Sequence, residues 1–209
     1  LTLVPYVGAA GQLKTKPTQH SVKELQQTGI QPDILLCRTD RLLPDDVKSK
    51  IALFCNVSVE EVITAKDVDC IYEVPLVFHK EGLDSKIKEL LHIWTREPRL
   101  DDWEEVVRRF KEPTGEVTIA IVGKYVDLTE SYKSLSEALI HAGVQTRTRV
   151  EIKYIDSEDI ERDATDCMKG MDAILVPGGF GERGVDGKIA TVRHARENRI
   201  PYLGICLGM

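Results

Sequence analysis

Between residues 116 and 209, four short apolar runs alternate with longer amphipathic stretches, and this alternation limits the possible folds more than any other feature. Near-continuous apolar runs of this kind are typical of strands that are buried on both faces. Strands that alternate with helices favour a parallel sheet covered by helices, with ligands at the carboxyl ends of the strands. The sequence predicts strands at 117–123, 150–155, 173–176 and 201–205, and helices at 131–142, 158–168 and 187–198.

The first 93 residues alternate in the same way, so a second α/β region is expected there. Its predicted strands are 33–37 and 62–64, and its predicted helices are 18–28, 44–55 and 84–91. Gly29 is well placed to end the first of these helices, and Asp84 can cap the start of the last. Val47, Ile51 and Phe54 are spaced along one face of helix 44–55 and should form its buried stripe.

The segment 94–115 differs from both flanking regions because it is densely charged and is interrupted by prolines at Pro98 and Pro113. Trp103, Val106, Val107 and Phe110 form an apolar stripe in it, which predicts one amphipathic linker helix with its charges in solvent. The expected organisation is therefore a first domain at 1–93, a linker at 94–115 and a second domain at 116–209.

Composition narrows the class of protein further. The chain has 209 residues, 42% of them apolar, and a net charge of −6, so no general attraction to nucleic acid or to an anionic membrane is expected. Five cysteines without metal-ligand spacing favour free thiols in a reducing cytoplasm. Because the chain begins in an apolar run and stops within a glycine-rich motif, we expect it to be a piece of a longer protein.

The motif at the carboxyl end has the form G-x-C-x-G and runs from Gly204 to Gly208, directly after an apolar strand. This is the thiol counterpart of a nucleophile elbow, in which a sharp turn exposes the nucleophile and flanking glycines remove Cβ atoms that would clash. A helix that follows such a turn favours the thiolate of Cys206. The same five residues could also be a buried cysteine in a glycine-flanked turn.

A glycine-rich loop at 177–184 follows the neighbouring predicted strand. Its backbone N–H groups could stabilise an oxyanion, or the loop could be a surface turn or a phosphate-binding loop. Together, PGGFG and GICLG resemble the class I glutamine amidotransferases. The resemblance implies that Cys206 is the nucleophile, with Gly179 and the Leu207 N–H at the oxyanion, and Gly208 and Met209 at the glutamine pocket.

The histidine and glutamate that complete the catalytic group of that family lie downstream of the nucleophile, whereas this chain stops three residues after Cys206. His141 and His194 do not match the positions of the family and are expected to be helix residues at or near the surface. The 209 residues alone are therefore not expected to hydrolyse glutamine.

The amino-terminal motif KTKPTQHS combines two lysines with hydroxyl groups and a proline that opens a helix. Cations together with a free helix N-terminus suit a triphosphate, although a basic surface loop has the same composition. KTKPTQHSVKEL and GIQPDILLCR, with the amidotransferase motifs downstream, resemble the CTP synthase family along essentially the whole chain.

That resemblance implies two α/β domains, both incomplete here: a P-loop NTPase-like ligase part and a flavodoxin-like amidotransferase part. It implies ATP-dependent amination of UTP by ammonia from glutamine, in a homotetramer with a nucleotide site at the subunit interface. Mg is the implied cofactor, with its ligands outside this chain, and GTP and CTP are the implied effectors.

The resemblance also assigns nucleotide contacts in this chain. The UTP and CTP contacts are Lys14, Thr15, Lys16, Pro17, Thr18, Gln19 and Lys50. The ATP contacts are Lys66, Asp67 and Val68, and the residues near GTP or the coupling path are Lys124, Tyr125, Lys133 and Arg183.

Two other functions share some of these features. A different glutamine amidotransferase would also have PGGFG and GICLG, but would give no reason for KTKPTQHS beside a second α/β region. A non-enzymatic assembly module is a further alternative, because the CTP synthase family forms tetramers and filaments.

Overall fold

The computed structural model describes residues 1–124, 129–179, 181 and 183–209. These form two compact units, Leu1–Val107 and Arg108–Met209. Each unit has parallel strands flanked by helices, which confirms the predicted α/β class. Within the described part of the chain, every helix is too short or too polar to cross a membrane.

The first unit is built on the three-stranded parallel sheet β1-β4-β5, in which Leu35 pairs with Val62. A small antiparallel hairpin, β2-β3, leads into the first helix. The elements are β1 Thr2–Leu3, β2 Tyr6–Val7, β3 Gln12–Leu13, α1 Lys16–Gln27, β4 Leu35–Thr39, α2 Asp45–Cys55, β5 Val62–Lys66, α3 Val74–Lys80 and α4 Leu83–Leu90.

Helix α2 packs on this sheet through Val47 and Ile51, as predicted, but not through Phe54. Ile51, Ala52 and Cys55 are buried, whereas the side chain of Phe54 is 58% exposed. The prediction that Phe54 belongs to the buried stripe was wrong. Packing against the sheet centres the buried face on Ile51, Ala52 and Cys55, and this rotation leaves Phe54 outside it.

Helix α4 also starts differently from the prediction. Gly82, with φ of 80°, is its N-cap, and the helix begins at Leu83. Asp84 therefore lies inside the first turn, where its carboxylate is 2.9 Å from Nδ1 of His79, and its prediction as N-cap was wrong. Glycine adopts the left-handed conformation of this junction without strain, and the helix starts two residues earlier than it would with Asp84 as its cap.

A half-buried ion pair joins α2, β5 and the end of α3. Glu81 Oε2 accepts hydrogen bonds from Lys48 Nζ at 2.8 Å and from the Thr64 N–H at 2.9 Å. The side chains of Lys48 and Glu81 are 19% and 17% exposed. Burial raises the pKa of the Glu81 carboxyl, but the hydrogen bonds from Lys48 and Thr64 outweigh burial, and the pKa is lower than its ordinary value.

This lowered pKa predicts a pH dependence of stability. The ionised Glu81 stabilises the fold at pH values above its ordinary pKa, and this stabilisation is lost as the pH falls through the lower pKa of the folded state. Glu81→Gln should therefore lower the Tm at pH 7, and the difference from wild type should shrink on acidification. Thermal unfolding of both proteins at pH 7 and near pH 4 checks this. An equal difference at both pH values would show that the charge of Glu81 does not contribute.

The second unit contains the four-stranded sheet β7-β6-β8-β9, in which all pairs are parallel. Ala120, Val122, Ile174 and Val176 are among its buried core residues. The four predicted strands and three predicted helices are thus confirmed, with shifted ends. From residue 101 onward, the elements are α5 Asp101–Lys111, which begins in the first unit, β6 Gly115–Gly123, α6 Lys133–Thr146, β7 Thr148–Asp156, α7 Ser157–Asp163, β8 Ala173–Val176, α8 Val185–Asn198 and β9 Tyr202–Gly204.

Helix α5 is the helix predicted for the linker, and it spans the boundary of the two units. Trp103, on its apolar stripe, donates a hydrogen bond from its indole N–H to the carbonyl of Tyr72. Since both residues lie in the first unit, this contact attaches the start of α5 to that unit.

Candidate functional site

Cys206 lies in a sharp turn two residues after β9. Its φ is 55°, a left-handed conformation that is uncommon for a residue with a Cβ. Cys206 is also exposed. The Ile205 N–H donates to the Val176 carbonyl at 3.0 Å, which ties the turn to β8. Backbone strain of this kind costs about 1–3 kcal/mol and is concentrated at functional sites. The geometry is that of a nucleophile elbow.

Two glycines allow the chain to approach itself around this cysteine. A Cβ on Gly204 would overlap the Gly208 carbonyl oxygen, and a Cβ on Gly208 would overlap the Val176 carbonyl oxygen. A side chain at Gly208 would therefore move the turn away from β8, and a side chain at Gly204 would open the turn itself.

The glycine-rich loop lies beside the thiol because β8 and β9 are adjacent parallel strands, with Val176 paired to Gly204. An ideal Cβ on Gly178 would be 3.2 Å from the Cys206 Cβ and 3.7 Å from its Sγ. Gly179 follows in the same loop. The structure thus brings the predicted oxyanion loop and the predicted nucleophile to one edge of the sheet.

The remaining predicted glutamine-site residues line a cavity of about 360 Å³ in the second unit. Leu207, Gly208 and Met209 form one wall, and α8 forms the other. Lys188 of α8 also lines this cavity.

Two buried lysines bind backbone carbonyls of the glycine-rich loop. Lys124 Nζ donates to the Gly181 carbonyl at 2.8 Å, and Lys188 Nζ lies 3.4 Å from the Pro177 carbonyl. Burial lowers the pKa of Lys188, as does the charge of Lys124, whereas Cys206 opposes the change. Sequence reasoning missed Lys188, because nothing distinguishes it from a surface lysine in an amphipathic helix until α8 is packed.

The residues predicted near GTP are only partly brought together. Arg183 pairs with Glu158 at 2.7 Å and donates to the Lys124 carbonyl at 3.3 Å. Lys133 lies at the start of α6, with its Nζ 3.7 Å from a carboxylate oxygen of Glu130. Tyr125 lies outside the described residues.

The two upstream histidines sit on helices, where they were expected. His141 on α6 is 3.9 Å from Glu137, one turn earlier. His194 on α8 is half-buried, and its Nδ1 is 3.3 Å from the side-chain nitrogen of Asn198. Both contacts are within one helix.

In the first unit, two of the predicted nucleotide-binding lysines border Phe54. Lys16 Nζ lies 5.8 Å from the centre of the Phe54 ring. Lys50 is exposed and precedes Phe54 by one helical turn, which places both on the same side of α2. Lys14, at the end of the hairpin, bonds Gln12 at 3.1 Å. Phe54 was missed as a site residue because the sequence pattern assigned it to the core.

The polar residues between these lysines face the interior of the unit. The Thr18 hydroxyl donates to the Leu3 carbonyl at 2.9 Å, and Gln19 Nε2 donates to the Thr15 hydroxyl at 3.0 Å. Thr15, Thr18 and Gln19 are all buried. They fix the start of α1, with Pro17 in its first turn, and the accessible groups are the lysines and the helix N-terminus.

Lys66, Asp67 and Val68 lie together on the wall of a second cavity, of about 350 Å³, in the first unit. Apolar side chains form most of this wall, and Asp67 pairs with Arg38 at 2.9 Å. An apolar cavity with a few polar groups at its rim suits a flat aromatic ring. The apolar lining residues include Ile71, Val74, Val77 and Phe78.

Comparison with known proteins identifies both units. Residues 1–93 match the family model for the CTP synthase N-terminus, and residues 127–209 match the model for class-I glutamine amidotransferase. The elbow and glycine-rich loop thus belong to a class I glutamine amidotransferase unit that follows a separate α/β unit.

The particular family follows from the whole sequence. Over 210 aligned residues the chain is 60% identical to the CTP synthases of Syntrophus aciditrophicus and of Desulfotalea psychrophila. These alignments cover 100% of this chain but only 39% and 38% of the two relatives. The chain belongs to the CTP synthase family and spans about two fifths of the length of these relatives.

One solved structure is also similar, the glutaminase domain of the Trypanosoma brucei CTPS with bound acivicin. The aligned residues of the two chains are 45% identical, and the alignment covers 44% of this chain and 37% of the Trypanosoma chain, with a TM-score of 0.41.

The close contact at Gly208 predicts the effect of adding one methyl group. Gly208→Ala should displace the elbow from Val176, at a cost of about 1–3 kcal/mol, and abolish most glutamine-dependent activity. Gly115→Ala is the matched control, since a Cβ there meets nothing within 4 Å. Glutaminase assays of the intact enzyme check this, and normal activity of the Gly208 variant would contradict the geometry of the turn.

Proposed function

We propose that this chain is part of an enzyme that forms CTP from UTP, ATP and glutamine. The observation that carries the proposal is the left-handed Cys206 beside the glycine-rich loop. The first unit of the same chain exposes Phe54 beside Lys16 and Lys50, here called the lysine-bordered surface. The chain is also 60% identical to CTP synthases over its whole length.

In the glutaminase half, the Cys206 thiolate would attack the carbonyl carbon of the glutamine side-chain amide. The backbone N–H groups of Gly179 and Leu207 would stabilise the oxyanion of the tetrahedral intermediate. Cleavage of the C–N bond would leave a thioester and, once the nitrogen is protonated, release ammonia. Water would then hydrolyse the thioester to glutamate.

In the ligase half, Lys14, Lys16 and Lys50 would bind the triphosphate of UTP, and CTP would inhibit by occupying the same site. Lysine charges and the N-terminus of α1 supply the attraction, while Thr15, Thr18 and Gln19 hold that N-terminus in place. Phe54 would lie against the ligand between Lys16 and Lys50.

The cavity beside Lys66, Asp67 and Val68 would take the adenine of ATP. ATP would phosphorylate the 4-oxygen of UTP, and ammonia would displace the phosphate. Among the described residues, no group of three or more His, Cys, Asp or Glu side chains is placed to hold a metal ion. We propose that the Mg implied by the family resemblance has its ligands outside this chain.

The surroundings of the loop support a regulatory role. Lys124 and Arg183 meet at the loop, and we propose that GTP acts there, together with Lys133 and Tyr125. We also propose a cytoplasmic homotetramer and a division into a ligase part at 1–93, a linker at 94–115 and an amidotransferase part at 116–209. The family matches to residues 1–93 and 127–209 support this division.

The role of Cys206 is tested in the intact enzyme. A glutamine-analogue electrophile should label Cys206 before the other four cysteines, three of which are buried. Cys206→Ala should abolish CTP synthesis from glutamine and preserve synthesis from added ammonia. Loss of both activities would contradict the assignment of Cys206 to ammonia release.

The lysine-bordered surface is tested separately. Lys16→Ala should raise the KM for UTP and weaken CTP inhibition, because each lost charge-assisted contact costs roughly 1.5–3 kcal/mol, about ten- to a hundredfold in binding. Phe54→Ala should act in the same direction. Lys23→Ala is the control, since Lys23 is an exposed lysine farther along the same helix. If the Lys16 and Lys23 variants have the same UTP kinetics, Lys16 is not a nucleotide ligand.

A further inference from the structure

Glu81 lies where three elements that carry the two proposed nucleotide sites come together. Helix α2 presents Lys50 and Phe54, and strand β5 ends at Lys66, the first residue of the adenine segment. Helix α3 supplies apolar residues of the adenine cavity and ends directly before Glu81. The side chain of Glu81 thus lies among the helices and the strand that carry both proposed sites.

The contacts of Glu81 reach two of these elements directly. Its Oε2 accepts from Lys48 Nζ on α2 at 2.8 Å and from the backbone N–H of Thr64 on β5 at 2.9 Å. In the described sheet, β5 pairs only with β4, so the carboxylate binds the open edge of the strand. Its own backbone N–H donates to the Val77 carbonyl at 3.0 Å, which fixes Glu81 to α3.

The contact with Lys48 adds a directional constraint to the rotation of α2 that its buried apolar face favours. Lys48 and Lys50 are two residues apart and so point to nearly opposite sides of the helix. When Lys48 is held against Glu81, Lys50 is directed away from the pair and remains exposed, with Phe54 one turn later on the same side. A half-buried charge-assisted hydrogen bond is directional, unlike an apolar contact, so it constrains this rotation.

We propose that Glu81 is a positioning residue that couples the pyrimidine-nucleotide site to the adenine cavity. Binding at either site orders elements that Glu81 joins, so the second nucleotide finds them already ordered and binds more tightly. The inference rests on the proposed function, because the two sites are those of UTP and ATP. Such coupling is reciprocal, so each of the two nucleotides changes the affinity of the enzyme for the other by the same factor.

The test is the affinity of the intact enzyme for UTP, measured by calorimetry with and without a non-hydrolysable ATP analogue. The ratio of the two Kd values is the coupling factor, commonly about 5–150 in coupled proteins. Glu81→Leu should bring this factor to less than a third of the wild-type value. Glu89→Leu is the matched control, because Glu89 forms a surface pair with Lys86 and is 71% exposed.

A second variant covers the case in which Glu81→Leu fails to fold. Lys48→Met combined with Glu81→Leu replaces the ion pair by apolar groups of similar size, a change that is often neutral for stability. It should fold, bind each nucleotide and show the same reduced coupling factor. A merely structural role of the pair would weaken both Kd values and leave their ratio unchanged.

The outcomes separate the two proposals. If wild-type enzyme binds neither UTP nor the ATP analogue, the proposed function fails. If it binds both, and the variants keep the wild-type coupling factor or wild type itself has a factor of 1, the role of Glu81 is wrong and the proposed function stands.

Discussion

At the carboxyl edge of the second sheet, the backbone approaches itself so closely that Gly204 and Gly208 have no room for a Cβ. This close approach depends on the parallel pairing of β8 with β9, and it places Cys206 in a left-handed conformation next to Gly178. The chemistry that we propose for the unit depends on it, because a nucleophile can use backbone N–H donors only if they are held at a fixed distance.

The first unit positions its functional groups differently. Lys16 and Lys50 are exposed on helices, and polar side chains that are buried or half-buried hold these helices in place. Thr18 and Gln19 hold the start of α1, and Glu81 holds α2 against β5. Long flexible cations tolerate small errors of position that a strained thiol does not, so a support of side-chain hydrogen bonds is sufficient here.

The parts of this fold that the sequence predicts are those with local causes. Apolar runs and glycine spacing predict the strands of the second unit and the elbow, because the relevant contacts are between residues close in sequence or on neighbouring strands. Phe54 was wrongly assigned to the buried face of α2 that carries Val47 and Ile51, because the exact rotation of the helix is set only by packing in the complete fold. Lys188 and Glu81 could not be predicted, since their partners at Pro177, Lys48 and Thr64 are brought near only by the fold.

The proposed function requires that ammonia released at Cys206 aminates UTP bound by the other half of the same enzyme. Partition of nitrogen isotopes tests this most directly: intact enzyme is given UTP, ATP and [amide-¹⁵N]glutamine in the presence of excess unlabelled ammonium, and the 4-amino group of CTP is analysed. If ammonia passes between the sites without equilibrating with solvent, most of the CTP should carry ¹⁵N, and Cys206→Ala should form only unlabelled CTP. CTP from wild-type enzyme with the isotope content of the bulk ammonium would contradict the claim.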